Sequence, residues 1–178
     1  MNKMEAMKLL AVIKVSFPNF RPDDIEMAAD VWADVLSDFT YQQLGMALKT
    51  YIRTNTSGFA PSPGQLIEMI SAVKHSKDET ETEAWMRVAI ALRNGAYGSE
   101  QDFAKFPPMV QKAVGSAKQL RIWALDENFN EEVAKAQFLR VYSTESQRAK
   151  DYEKMPEDVQ RIIDNARGMN LITDGGVN

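Results

Sequence analysis

No window of this chain sustains the period-two alternation of a half-buried strand, whereas apolar residues return at three- and four-residue steps almost from end to end. That periodicity restricts the fold more than any other feature. In residues 4–17, Met4, Met7, Leu10, Ile13 and Phe17 mark one apolar stripe, and Pro18 stops the helix. Pro22 fits a first helical position, with Asp23 and Asp24 near the positive end of the helix dipole. Ile25, Ala28, Ala29, Trp32, Leu36 and Phe39 then form the expected buried face of a second helix. Thr40 and Gln43 have capping-box spacing ahead of a third, whose stripe is Leu44, Ala47, Leu48 and Tyr51.

The break at 54–65, TNTSGFAPSPGQ, decides between two kinds of protein. A phosphate-cradling P-loop needs a lysine and a serine or threonine directly after its last glycine. Here Gly64 is followed by Gln65 and Leu66. Ser62, Pro63 and Gln65 instead supply an N-cap, a proline at N1 and a capping-box partner. The stretch therefore turns the chain into a fourth helix, with Leu66, Met69, Ile70 and Val73 expected to face inward. Phe59, the one large apolar residue of this loop, is expected to fold back as a hydrophobic plug. Its alternative is an exposed anchor for a partner.

Residues 74–83 are wholly polar and read as a hinge running into the first turn of the next helix. Trp85, Val88, Ala89 and Leu92 carry that helix. A short helix at about 99–106, another from Pro107 or Pro108, one capped by Ser116 and Gln119, and a longer one opened by Asn130 follow. The long helix contains Val133, Ala134, Phe138, Val141 and Tyr142. Pro156, Glu157 and Asp158 open the last helix, with Val159, Ile162, Ile163 and Ala166 on its face and Gly168 as its stop. The expected architecture is all-α: two small helical bundles, residues 1–75 and 84–168, joined by a linker at 76–83 and ending in a flexible tail at 169–178.

Composition narrows the function. Cysteine is absent and His75 is the single histidine, so disulfides and cysteine-based zinc sites are excluded. A triad built on His75 has no supporting motif, and the histidine itself is expected to be solvated. Residues 1–77 carry eight basic and eight acidic side chains, and the remainder thirteen against seventeen. Neither half has the basic excess that attracts a polyphosphate backbone, which disfavours direct nucleic-acid binding. Lys49 and Arg53 beside Tyr51 are too few to change that, and Tyr51 lies on the core stripe. No apolar run is long enough to span a membrane, and no secretory signal is evident. Glu26, Asp30, Asp34 and Asp38 recur every four residues on one side of helix two, a solvated face or a docking face for a basic partner.

The segments KLLAVIK…FPNF (8–20), Trp32 to Leu36, ALKTYI (47–52) and FAPSPGQL (59–66) resemble the phage-encoded loaders and inhibitors of replicative, DnaB-type helicases, over about residues 5–73. The resemblance implies a non-enzymatic adaptor without cofactor or metal. It implies that the chain binds the replicative helicase, holds it inactive and delivers it to an origin-bound initiator, in the cytoplasm of a bacterial host. In such proteins a flexible C-terminal segment engages the helicase. Residues 84–167 depart from that pattern, being rich in periodic aromatic residues. The last helix from Val159 onward, the carboxylates Glu26, Asp30 and Asp34, and Phe59 are the expected partner contacts. The rival readings are a DNA-binding phage protein, such as a replisome organiser or terminase small subunit using a helix-turn-helix around 55–63, and a carboxylate-based hydrolase using the acidic stripe.

Overall fold

A computed structural model describes the backbone of residues 1–94 and 97–174, and side chains up to residue 167. The described chain is all-helical and contains no strand. Among the described residues ten helices follow one another: α1 (Lys3–Ser16), α2 (Ile25–Val35), α3 (Tyr41–Thr54), α4 (Pro63–Lys74), α5 (Glu81–Arg93), α6 (Ser99–Lys105), α7 (Pro108–Val114), α8 (Ala117–Leu125), α9 (Glu131–Glu153) and α10 (Glu157–Asp174). The chain divides into two compact units, one of Met1–Ser76 with Glu153–Asn178 and one of Lys77–Tyr152.

Local chemistry explains most helix starts. Thr40 and Gln43 form a reciprocal capping box on α3, and Ser62 and Gln65 form another on α4 with Pro63 in its first turn. Ser116 Oγ accepts from the Gln119 amide at 3.1 Å, and Asn130 Oδ1 accepts from the Val133 amide at 3.1 Å. Two further boxes, Asn2 with Glu5 and Thr80 with Glu83, open α1 and α5. The second of these starts a helix inside the polar stretch 74–83. At α2 the structure departs from expectation. Asp24, not a residue before Pro22, is the N-cap, its carboxylate accepting from the amides of Glu26 and Met27. By accepting from both amides the Asp24 side chain satisfies two open donors of the first turn, which begins at Ile25. The far end of α10 also differs, because the helix runs through Gly168 to Asp174. An interior glycine costs only about 1 kcal/mol, and no proline follows to enforce a stop. Residues 175–178 of the expected tail lie outside the described residues.

The first unit is built on Leu9, Leu10 and Ile13 of α1, Trp32 and Leu36 from α2 and its end, Leu44, Leu48 and Tyr51 of α3, and Leu66 of α4, all buried. Phe17 meets Tyr51 edge-on at 5.9 Å. The Met1 nitrogen donates to the carbonyls of Leu36, Ser37 and Phe39 in the turn after α2. Two stripe residues expected inside are outside: Met4 and Val73 are 72% and 75% exposed. For α1 the cause is its nearly all-round apolar surface, which offers two candidate stripes. Packing selects the one through Ala6, Leu9, Leu10 and Ile13.

The second unit gathers around Trp85, Val88, Phe106, Val110, Leu120 and Phe138. Trp85 lies 5.4 Å from Phe138 and 6.4 Å from Trp123, and Phe138 stacks on Tyr142 at 5.7 Å. Gly115, at φ 91°, makes the turn from α7 to α8 that an L side chain would resist. The two apolar clusters share no residue.

Candidate partner-binding surfaces

On α2, Ala29 and Trp32 point inward, which leaves Glu26, Asp30 and Asp34 exposed along the outer side. The helix ends at Val35, so Asp38 sits in the following turn and does not extend that row. The four-residue rule that placed it there holds only while the helix continues. Asp30 pairs with Lys3 of α1 at 2.8 Å. With both partners about half exposed, solvent screens the bridge and it adds little to stability. The Asp30 hydrogen bond, opposed by burial and aided by the charges of Asp30, Glu26 and Asp24, raises the Lys3 ammonium above its ordinary value.

Phe59 is 67% exposed and does not plug the core. Small residues do that instead: Ala60 packs against the cluster and Pro61 is buried. The backbone around Phe59 is closely braced. Its carbonyl accepts from Tyr51 Oη at 3.1 Å and Asn55 Nδ2 at 2.9 Å, and Asn55 Oδ1 accepts from the Ser57 amide. Gly58 takes φ 75°, a left-handed turn that glycine adopts without strain. The α3–α4 connection thus holds an aromatic ring outward on an ordered frame. It runs from Asn55 to Ser62, about twice as long as the turn of a helix-turn-helix. Replacing Tyr51 with phenylalanine removes one of the two donors. The expected loss is about 1 kcal/mol of stability, read as a lower melting temperature, with amide exchange accelerated around Phe59.

His75 is the C-cap of α4, and its side chain is 15% exposed, not solvated. The expectation failed because Glu153, distant in sequence, lies beside the ring in space. Its Nε2 lies 3.2 Å from Glu153 Oε2, which also receives Lys74 Nζ at 2.7 Å. The Lys74 hydrogen bond, then the Lys74 and His75 charges, hold the Glu153 carboxyl below its ordinary value of 4.5, against a burial effect. Lys154 reaches Glu68 of α4 at 2.6 Å. These contacts attach the unit's second segment to α4.

Glu83 is lowered too, first by the Thr80 amide and then by the Thr80 hydroxyl. A carboxyl depressed in the folded state contributes stability that is present above about pH 4.5 and is lost as pH falls through the lower folded value. Acid titration of the melting temperature is therefore expected to show a decline beginning below about pH 4.5. Glu83→Gln should remove the Glu83 share of that decline, and Thr80→Ala only the smaller part that the hydroxyl supplies.

On α10, Val159 and Ile162 are 38% and 67% exposed, Ile163 is half-buried and Ala166 is exposed. Their spacing places all four on one side of the helix. The second unit has a wide cleft of about 910 Å³ between α6 and α8, lined by Lys118, Arg121, Ile122 and Leu125 among others. Ser99 Oγ lies buried beside it without a hydrogen-bond partner, and neither sequence periodicity nor any motif pointed to it. Glu100 and Asp126 line the cleft together with Lys118 and Arg121, and none of these four is hydrogen-bonded to the Ser99 hydroxyl. Among the described residues, no three histidine or carboxylate side chains converge to hold a metal ion, and no helix is long and apolar enough to cross a membrane.

The surfaces of the first unit are those of a helical scaffold presenting side chains outward, over the segment where the sequence resembles the phage helicase loaders. Residues 1–67 match the family model for the N-terminal domain of a phage helicase-loader and inhibitor protein. The match spans α1, α2, α3 and the start of α4, and so includes the carboxylates of α2 and the Phe59 loop. It bears out the resemblance over this segment, and residues 68–178, with α10, lie beyond it. No curated protein and no solved structure gives a significant match.

Proposed function

We propose that this protein is a non-enzymatic adaptor of phage DNA replication that binds a replicative, DnaB-type helicase and loads or inhibits it. The match of residues 1–67 to the N-terminal domain of the phage loader and inhibitor family carries the reading. The outward-facing chemistry of the first unit supports it: a braced aromatic, an acidic helix side and a terminal helix with apolar residues in contact with solvent. The mechanism is occupancy. An adaptor that binds one helicase conformation more tightly than another shifts the population toward it, by no more than the difference in its two affinities. An origin-bound initiator would complete the handover.

The contact residues assigned to the helicase are Val159, Ile162, Ile163 and Ala166 of α10, because an amphipathic terminal helix can lie in a partner's groove. Glu26, Asp30, Asp34 and Phe59 are assigned to protein contacts of the first unit. A pull-down with the full chain and the replicative helicase tests the reading. Retention of the helicase is expected, and no retention with or without nucleotide would reject it. The Phe59 assignment has its own measurement. Phe59→Ala should weaken capture by about 2 kcal/mol, the scale of an aromatic hot spot, with an unchanged melting temperature. Equal capture would remove Phe59 from the interface.

A further inference from the structure

The outer side of α2 carries more than carboxylates. Met27, Val31 and Val35 are 67%, 54% and 42% exposed and stand four residues apart, in a row beside Glu26, Asp30 and Asp34. A surface helix commonly sets charged and polar residues opposite its buried stripe, and singly exposed apolar residues are normal. This one has a buried side, an acidic row and an apolar row within three turns. We propose that this double row is a docking surface for a basic, amphipathic segment of a protein partner, with apolar side chains on the Met27–Val31–Val35 row and lysines or arginines against the carboxylates. The proposal deepens the adaptor reading and rests on it for the identity of the partner, though not for the chemistry of the surface.

Charge selects this occupant over the others. Among the described residues, Lys3 is the one cation bonded to the acidic row, and Glu26 and Asp34 form no ion pair. The Lys3 pKa is raised first by its Asp30 hydrogen bond and, to a lesser degree, by the charges of Asp30, Glu26 and Asp24. Nucleic acid and anionic lipid are repelled by such a row. A second copy joined through a two-fold axis would bring the same patch onto itself, setting Asp30 and Asp34 against their own counterparts. A partner with cations beside apolar side chains satisfies both rows. The apolar row escapes a motif search because Met27, Val31 and Val35 fall between the core positions that dominate the helix pattern.

The test uses the full chain, isotopically labelled, and a synthetic leucine–lysine peptide designed as an amphipathic helix. Two control peptides replace every lysine by glutamate or every leucine by serine. Amide shifts centred on Met27, Val31 and Val35 are expected with the first peptide alone, weakening as salt is raised. Val31→Asp adds negative charge while removing apolar contact, so a purely electrostatic site would bind at least as well. Binding at least about tenfold weaker is expected instead, and a comparable loss for Asp30→Lys with Asp34→Lys, in proteins whose melting curves are unchanged. Shifts spread over other elements, equal binding of the serine peptide, or full binding by Val31→Asp would overturn the proposal. So would a dimer in light scattering that Val31→Asp dissociates, since the occupant would then be a second copy. No helicase enters this titration, so its failure leaves the helicase reading standing, and failure to capture helicase leaves the peptide result standing.

Discussion

Trp85→Ala is expected to destabilise the second unit by about 3–5 kcal/mol, the usual cost of truncating a large buried aromatic. Trp85 is 3% exposed and joins three helices: its ring meets Phe138 of α9 and Trp123 of α8 from its seat on α5. Phe138 in turn stacks on Tyr142, whose hydroxyl donates to the Glu79 carbonyl at 3.3 Å. Removing the indole opens a cavity at the centre of this chain of rings, and the helices around it cannot close it without losing their own contacts. A unit of this size is held by about 4–11 kcal/mol, so the variant should be partly or wholly unfolded there. Urea denaturation followed by hydrogen exchange measures it. Protection at Val88, Leu120 and Phe138 should collapse. Because the two apolar clusters share no residue, protection at Leu9, Leu48 and Leu66 is expected to persist. Loss of protection in both sets would show a single cooperative core.

The second large effect concerns binding. Ending the chain after Met155, or replacing Ile162 by aspartate in the full chain, should abolish helicase capture. No residue of α10 is buried among those described, so neither change removes part of the apolar core of residues 1–76. A charge at Ile162 leaves a desolvated carboxylate in any groove that receives the helix, a loss of several kcal/mol or about a thousandfold in affinity. Isothermal titration with the helicase reads it. The truncated chain retains the α2 row and Phe59, and if it still binds at full affinity, the contact lies there and α10 is released from the assignment.

The helices were legible in the sequence because caps and periodicity act locally. Thr40 with Gln43 and Ser62 with Gln65 announce helix starts through bonds spanning three residues, and these formed as expected. Thr80 with Glu83 carries the same signal within a run of charges, where the polarity of 74–83 concealed it. The tertiary choices were less legible. Which of two stripes α1 buries depends on what packs beside it, so Met4 was assigned inward and lies outward. Phe59 followed the rule that large apolar residues are buried, but Ala60 and Pro61 occupy the inner side and the bonded frame turns the ring out. His75 looked solvated among lysines and serines, and Glu153, distant in sequence, covers it. The acidic row of α2 was visible at its four-residue spacing. The apolar row beside it was not, since exposure of valine and methionine cannot be read until the core positions are known.

Size-exclusion chromatography with light scattering, on a mixture of the full chain and the replicative helicase, tests the adaptor account most directly. The account predicts one peak heavier than the helicase hexamer, with a nucleotide-dependent population and no ATP hydrolysis by the chain alone. Two separate peaks at the masses of the unmixed proteins, under every nucleotide condition, would contradict it.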